Sequence, residues 1–331
     1  MSKITVNNIE ALNNAIELNM RKDPNILLWG EDAGFEGGVF RATQGLQEKF
    51  GEERVFDAPI AEASIVGAGV GAALAGLKPI VEIQFSGFSF LIMQHLFCHA
   101  ARIRNRSRGR WTCPLVVRMP MSGGVKALEH HSEALEAIYA HIPGIKVVMP
   151  STPYDTKGLM TAAINDPDTV VFFEPKRLYR SFKQEIPEEL YEVEIGKANV
   201  MVEGNDVTIV SYGAQVHDSL EAINQLKKSH PNISVELIDL RTIKPLDVKT
   251  IIKSVKKTGR LLVAHEAVKS HGLASEIITL ANELAFYHLK AAPVRVTGWD
   301  ITVPWPQGEK YHMVTPERIV EKVVELVNTK E

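Results

Sequence analysis

At 331 residues the chain is long enough for two domains of ordinary size. With 45% hydrophobic and 23% charged residues it reads as a soluble globular protein, and a net charge of −3 gives no general reason to bind nucleic acid or an anionic membrane. Cys98 and Cys113 have no metal-ligand spacing around them, which argues against a disulfide scaffold or a zinc site.

No window reaches the ~18 apolar residues of a membrane span. The N-terminus carries no long apolar stretch and no Arg-rich presequence, so a cytoplasmic protein is expected. Asn7 or Asn8 can cap a first helix, with Ile9, Leu12, Ile16 and Met20 at helical spacing and Asp23-Pro24 as its end. Ile26-Leu27-Leu28-Trp29 reads as a buried strand followed by Gly30-Glu31-Asp32. Charges at the carboxyl end of such a strand face a ligand crevice or sit in a solvated loop. Residues 34–45 read as a flexible loop.

Val55-Phe56 leads into the central stretch, Ala61 to Gly76, whose one carboxylate is Glu62. Small residues recur four apart at Ala63, Gly67, Gly71 and Ala75, one face of a helix. Glycine costs ~1 kcal/mol against alanine in a helix interior, so close approach of another backbone is expected in return. A carboxyl at the entrance of so apolar a helix is poorly solvated, as active-site carboxyls often are. The bland alternative is a core helix with Glu62 in solvent.

Residues 79–85 read as a strand and 86–101 as a largely apolar helix carrying Phe88, Phe90, His95 and His99. Arg102, Arg104, Arg106, Arg108 and Arg110 follow on alternate positions, without the stacking platform that nucleic-acid binding requires. A solvated or interface-facing edge is the expectation. Residues 114–118 read as a strand, then Ser122-Gly123-Gly124 and Glu129-His130-His131-Ser132. Adjacent histidines cannot form a helical metal pair, so the functional reading is acid–base or substrate-orienting work. The alternative is a surface loop with spectator histidines.

A strand at 145–148, a helix at 154–164 and a strand at 169–173 complete an alternation that predicts a parallel sheet covered by helices. The charged connector 182–198 is expected to be irregular and to hold the domain boundary, giving domains 1–185 and 186–331. The alternation then restarts, with strands at 207–210, 235–240, 261–265 and 293–296. Helices are predicted from Gln215, and at 246–255, 272–284 and 316–327. Glu266 and His271, past a strand end, are expected to make capping or interface contacts, with a functional role as the alternative. There is no Gly-x-Gly-x-x-Gly turn, no Walker loop and no nucleophile elbow, which weakens dinucleotide, nucleotide and serine-hydrolase readings.

Glu62, four residues, Gly67, an apolar residue, two more and Gly71 resembles the pyrimidine-binding domain of thiamine diphosphate enzymes. Further collinear stretches, among them residues 29–32, 57–62, 76–79, 129–132, 143–148, 150–155, 239–242 and 257–260, are similar to beta subunits of the decarboxylating component of 2-oxo acid dehydrogenase complexes. The resemblance weakens after about Val303. It implies two α/β domains, a pyrimidine-type thiamine diphosphate domain and a transketolase C-terminal-like domain. It implies that Glu62 hydrogen-bonds the cofactor's pyrimidine ring nitrogen. Phe88 would pack on that ring, Ile60 and Gln84 would line the pocket, Glu31 would lie near it, and His131 would orient substrate or the incoming lipoyl group.

No Gly-Asp-Gly magnesium motif occurs, so the resemblance implies an alpha subunit that holds Mg2+ and completes the site in an α2β2 heterotetramer on a lipoyl acyltransferase core. It also suggests a structural potassium at Leu115, Ala163, Ile164, Asp166 and Asp168, where Asp168 departs from the usual Asn. Pyruvate is the expected substrate, followed by branched-chain 2-oxo acids and then acetoin. A non-catalytic binding protein working through the Arg102–Arg110 edge is the alternative of a different class.

Overall fold

The computed structural model describes residues 2–329, which form two compact units. The first comprises the chain through Met121 together with Ile138–Ile195, and the second comprises Ser122–Ala137 together with the chain from Gly196.

The first unit is built on strands β1 (Lys3–Val6), β2 (Ile26–Gly30), β3 (Val55–Asp57), β4 (Lys78–Glu82), β5 (Val116–Met121), β6 (Lys146–Val148), β7 (Val170–Pro175) and β8 (Gln184–Pro187). Six of them form a parallel sheet in the order β6-β7-β5-β4-β2-β3. Strands buried on both faces lose the polar alternation of a half-exposed strand. That is why these runs read as continuous apolar segments, and β5 and β7 are buried at every position. A helix at Asn8–Lys22 packs against one at Pro153–Asn165. The first is capped by Asn7, whose side chain accepts the Glu10 N–H while Glu10 returns the bond to the Asn7 N–H. Leu12, Ile16, Leu28, Ile80, Val116, Leu159 and Phe172 knit helices and sheet into one core.

The second unit adds β9 (Asn199–Val202), β10 (Val207–Ser211), β11 (Val235–Asp239), β12 (Thr242–Lys244), β13 (Leu261–Ala264) and β14 (Val294–Val296). Its sheet runs β14-β13-β10-β11-β9, parallel except for β9. Helices Gln215–Ser229 and Pro316–Asn328 pack together, and Val248–Thr258 packs on Leu273–Ala285. Both units are therefore α/β, as expected.

Two sequence expectations need correction. The connector after Phe182 is not irregular throughout: β8 pairs antiparallel with β1, Lys3 opposite Pro187 and Val6 opposite Gln184. The ribbon is half-exposed and its two strands are remote in sequence, so neither advertises the other. Residues 86–101 are not one α-helix but a 3₁₀ segment (Ser86–Ile92), a π turn (Gln94–His99) and a second 3₁₀ turn (Ala100–Arg102). Ser89 accounts for the entry, since its hydroxyl donates to the Ser86 carbonyl at 2.5 Å and so competes with the α-helical ladder.

Candidate active site

β2 ends at Gly30. A Cβ there would lie 2.7 Å from Glu82 Cβ and 2.8 Å from the Glu82 carbonyl oxygen, so glycine lets β2 and β4 close together. Glu31 and Asp32 emerge just past this edge, Asp32 in the left-handed region at φ 55°. The chain leaving β3 is tied to the same place, because the Ala58 N–H donates to the Gly30 carbonyl at 2.9 Å. Four residues later Glu62 opens the apolar helix Glu62–Leu74. Carboxyl ends of parallel strands are where α/β folds bind ligands.

Glu31 and Glu62 are each only 7% exposed. Burial first, and then the like charges of Glu62 and Asp32, hold the Glu31 carboxyl above its ordinary range. Among the described residues no group donates a hydrogen bond to either carboxylate and no cation pairs with it. Ala61 gives the helix no side-chain cap, so backbone N–H groups of the first turn stay available beside Glu62. Gln84 donates to Asp32 Oδ2 at 3.1 Å. Ile60 stands 84% exposed two residues before Glu62. Phe88 meets Phe85 edge-on at 5.6 Å, and Phe85 meets Phe40 in the same manner at 5.5 Å. Glu31, Ile60, Glu62 and Gln84 thus gather at one edge of the first unit, with Phe88 four residues beyond Gln84 in the segment that follows β4.

The close approach of another backbone expected along the face of Ala63, Gly67, Gly71 and Ala75 is not what the glycines show: side chains approach two of them, Gly67 on that face and Gly69 off it. A Cβ on Gly67 would lie 3.2 Å from His95 Nδ1, and one on Gly69 would lie 2.9 Å from Leu115 Cδ1. Gly71 faces open space. Ser64, Ala68 and Ala72 line an apolar groove of about 500 Å³ with Trp29 and Phe56. Those two rings stack at 5.3 Å.

His131 belongs to the second unit, half-buried in the turn Glu129–His131, where its N–H donates to the Leu128 carbonyl at 2.9 Å. His130 beside it is exposed. At the suggested potassium position the Leu115 carbonyl accepts the Val170 N–H at 3.0 Å and the Ala163 carbonyl accepts the Asp166 N–H at 3.3 Å. Asp166 pairs with Lys146 and Asp168 with Arg104. Among the described residues no three His, Cys, Asp or Glu side chains gather as a metal site. The alternating arginines do not form a strand: they lie on the short helix Ile103–Arg106 and the turns around it, all exposed.

One cluster beneath the site escaped the sequence reading. Arg118 on β5 is 1% exposed in its side chain and pairs with both Glu82 and Glu174. The bond from Nε to Glu174 Oε1 is 2.6 Å and that from Nη2 to Oε2 is 2.7 Å. The signal was a charge inside each of three apolar runs, at residues 82, 118 and 174.

Two domain models match the chain, "Transketolase, pyrimidine binding domain" over residues 5–181 and "Transketolase, C-terminal domain" over residues 196–319. The chain is 62% identical to the pyruvate dehydrogenase E1 component subunit beta of Mycoplasma genitalium, over 99% of this chain and 100% of that one. It is 48% identical to the same component of Bacillus subtilis, over 97% and 98%. It is 46% identical to the 2-oxoisovalerate dehydrogenase subunit beta of that organism, over 96% and 97%. A solved structure described as a split gene transketolase, inactive beta4 tetramer, aligns with a TM-score of 0.77 at 22% identity, covering 98% of this chain and 100% of that one, a likeness of fold. With both domain models matched in order and end-to-end identity to such relatives, the chain belongs to the family of pyruvate dehydrogenase E1 component beta subunits.

Proposed function

We propose that this chain supplies the aminopyrimidine half of a thiamine diphosphate site that an alpha subunit completes. The assembled enzyme decarboxylates pyruvate and reductively acetylates the lipoyl group of an acyltransferase core in the cytoplasm. The observation that carries the reading is the pair of buried carboxylates, Glu31 and Glu62, which no donor or cation among the described residues satisfies. Buried carboxylates without partners are costly, and a ligand with ring nitrogens and an amino group removes that cost. When bound, thiamine diphosphate supplies the carbon nucleophile and the electron sink of the decarboxylation.

The rest of the aminopyrimidine half comes from this chain's own residues. Glu62 would share a proton with the pyrimidine ring nitrogen, which is work for a carboxyl in apolar surroundings. Glu31 raises the electrostatic demand for a hydrogen donor beside it. Phe88 offers a ring face, and Ile60 and Gln84 bound the pocket. His131 orients the 2-oxo acid or the lipoyl group. Magnesium and the diphosphate are left to the alpha subunit, because this sequence has no Gly-Asp-Gly. The α2β2 heterotetramer belongs to the proposal, with residues 1–185 as the pyrimidine-type domain and 186–331 as the domain of assembly. Identity of 62% to chains named for pyruvate, against 46% to one named for 2-oxoisovalerate, favours pyruvate over branched-chain acids.

Co-expression with the alpha subunit, a native mass and an assay on pyruvate and 3-methyl-2-oxobutanoate test the proposal. Glu62→Gln should lower decarboxylation by about 10²–10⁴-fold while assembly stays intact, the range for losing a general acid–base group. A lone chain that decarboxylates pyruvate, or a Glu62→Gln complex of full activity, would refute it.

A further inference from the structure

His131 is carried by an excursion of the second unit whose base is closed where the Ser122 N–H donates to the Glu133 carbonyl at 3.3 Å. The excursion contains three residues in the left-handed region: Ser122 at φ 74°, Gly124 at 83° and Lys126 at 58°. For serine and lysine this backbone is strained, and it persists only where the surroundings over-determine it.

Two buried carboxylates of the same unit provide that constraint. Glu266, just past β13, accepts the Gly123 N–H. Glu309 accepts the Gly124 N–H on Oε1 at 2.8 Å and the Lys126 N–H on Oε2 at 3.0 Å. Glu309 is 3% exposed and Glu266 7%. A Cβ on Gly123 would lie 2.8 Å from Glu309 Oε1 and 3.1 Å from Glu266 Oε1, so glycine is what admits both carboxylates to the backbone. Beyond His131 the chain is held again, where the Tyr212 hydroxyl donates to Glu136 Oε1 at 2.6 Å. Bonds from N–H groups to a carboxylate are about twice as strong as neutral ones, and burial shields them from competing water.

We propose that Glu266 and Glu309 are positioning residues for His131, fixing the loop that presents its imidazole. The inference rests on the role assigned to His131 above, and it deepens that role by naming what holds the histidine in place. Neither glutamate needs to touch substrate or cofactor. A glutamine at 309 keeps one acceptor and turns an amide donor toward the second N–H, which expels that part of the loop.

The test is a double-mutant cycle in the complete alpha–beta complex, combining Glu309→Gln with His131→Ala, read beside hydrogen exchange of residues 122–133. Glu309→Gln should lower kcat for reductive acetylation roughly tenfold to a hundredfold, the scale of a misplaced positioning group. It should speed amide exchange in the loop and leave exchange in Glu62–Leu74 unchanged. In the His131→Ala background it should cost nothing further. Glu266→Gln, which removes a different acceptor, gives the same cycle if Glu309→Gln does not assemble. Additive losses, or unchanged loop exchange, would overturn the proposal while leaving His131 in place. Full activity of His131→Ala alone would instead overturn the role of the histidine, and the proposal with it.

Discussion

Replacing Arg118 by methionine isolates the electrostatics beneath the site. The substitution conserves volume approximately and removes one cation that serves two carboxylates. The side chains of Arg118, Glu82 and Glu174 are 1–3% exposed, so water cannot take over the lost interactions. Tyr179 still donates to Glu174 Oε2 at 2.5 Å, which spares that residue part of the loss. Glu82 keeps no such donor. Breaking a buried pair by deleting one partner costs 3–5 kcal/mol, and two stranded carboxylates put this case near 5, about 10–20 °C in the melting of a domain of this size. The deficit should depend on pH. An orphaned buried carboxylate has its folded pKa raised above the unfolded value, so the folded variant takes up protons more readily. Its stability relative to the parent therefore recovers as pH falls from 8 toward 5. Calorimetry of the assembled complex at pH 8, 6.5 and 5 reads both effects, and adding Glu82→Gln and Glu174→Gln should restore most of the stability. A variant melting within a degree of the parent at pH 8, or a deficit that ignores pH, would refute the reasoning.

Two other perturbations follow from the same geometry. Gly30→Ala places a methyl 2.7 Å from Glu82 Cβ and 2.8 Å from its carbonyl, which forces β2 and β4 apart. A cost of ~1–3 kcal/mol is expected in denaturant melts, with a loss of activity because Glu31 is the next residue. A neutral result would mean the sheet edge yields freely. Burial pushes the His265 imidazole down from 6.5 to about 4. Between those values the unfolded chain binds a proton that the folded chain refuses, so this stability is full above pH 6.5 and is lost as pH falls through 4. The total is about 3 kcal/mol, from 1.36 kcal/mol per pH unit. Urea melts from pH 7 to 4 should show that slope, and His265→Gln should flatten it.

The parts of the fold legible in the sequence are those fixed by burial. Ile26 to Trp29, Val207 to Val210 and Leu261 to Ala264 are apolar on every side because their strands lie inside sheets covered by helices. Glu62 could be singled out because it is the one charge at the head of an apolar helix. What could not be read depended on partners far along the chain. The ribbon of β1 and β8 joins residues more than 170 apart on a half-exposed surface. The 3₁₀ entry after Phe85 follows from a serine hydroxyl that composition does not distinguish from a surface group. The loop bearing His131 reads as a glycine-rich turn, and its restraint by Glu266 and Glu309 needs contacts 143 and 185 residues away.

The same unit solves the problem of buried carboxylates in two opposite ways. Glu82 and Glu174 share the Arg118 guanidinium, and Tyr179 donates to Glu174, so each carboxylate has a partner within the cluster. Glu31 and Glu62 are also buried, yet they repel one another with no cation among the described residues to offset it. A strand-end glycine, a left-handed Asp32 and an uncapped helix start keep them there. If stability alone shaped this edge, the arrangement around Arg118 would serve equally well a few residues away. Proteins keep such locally unfavourable sites where function requires them. Ile60, apolar and 84% exposed beside Glu62, fits the same logic: under the proposed function this edge would meet a ligand and a second protein surface rather than water.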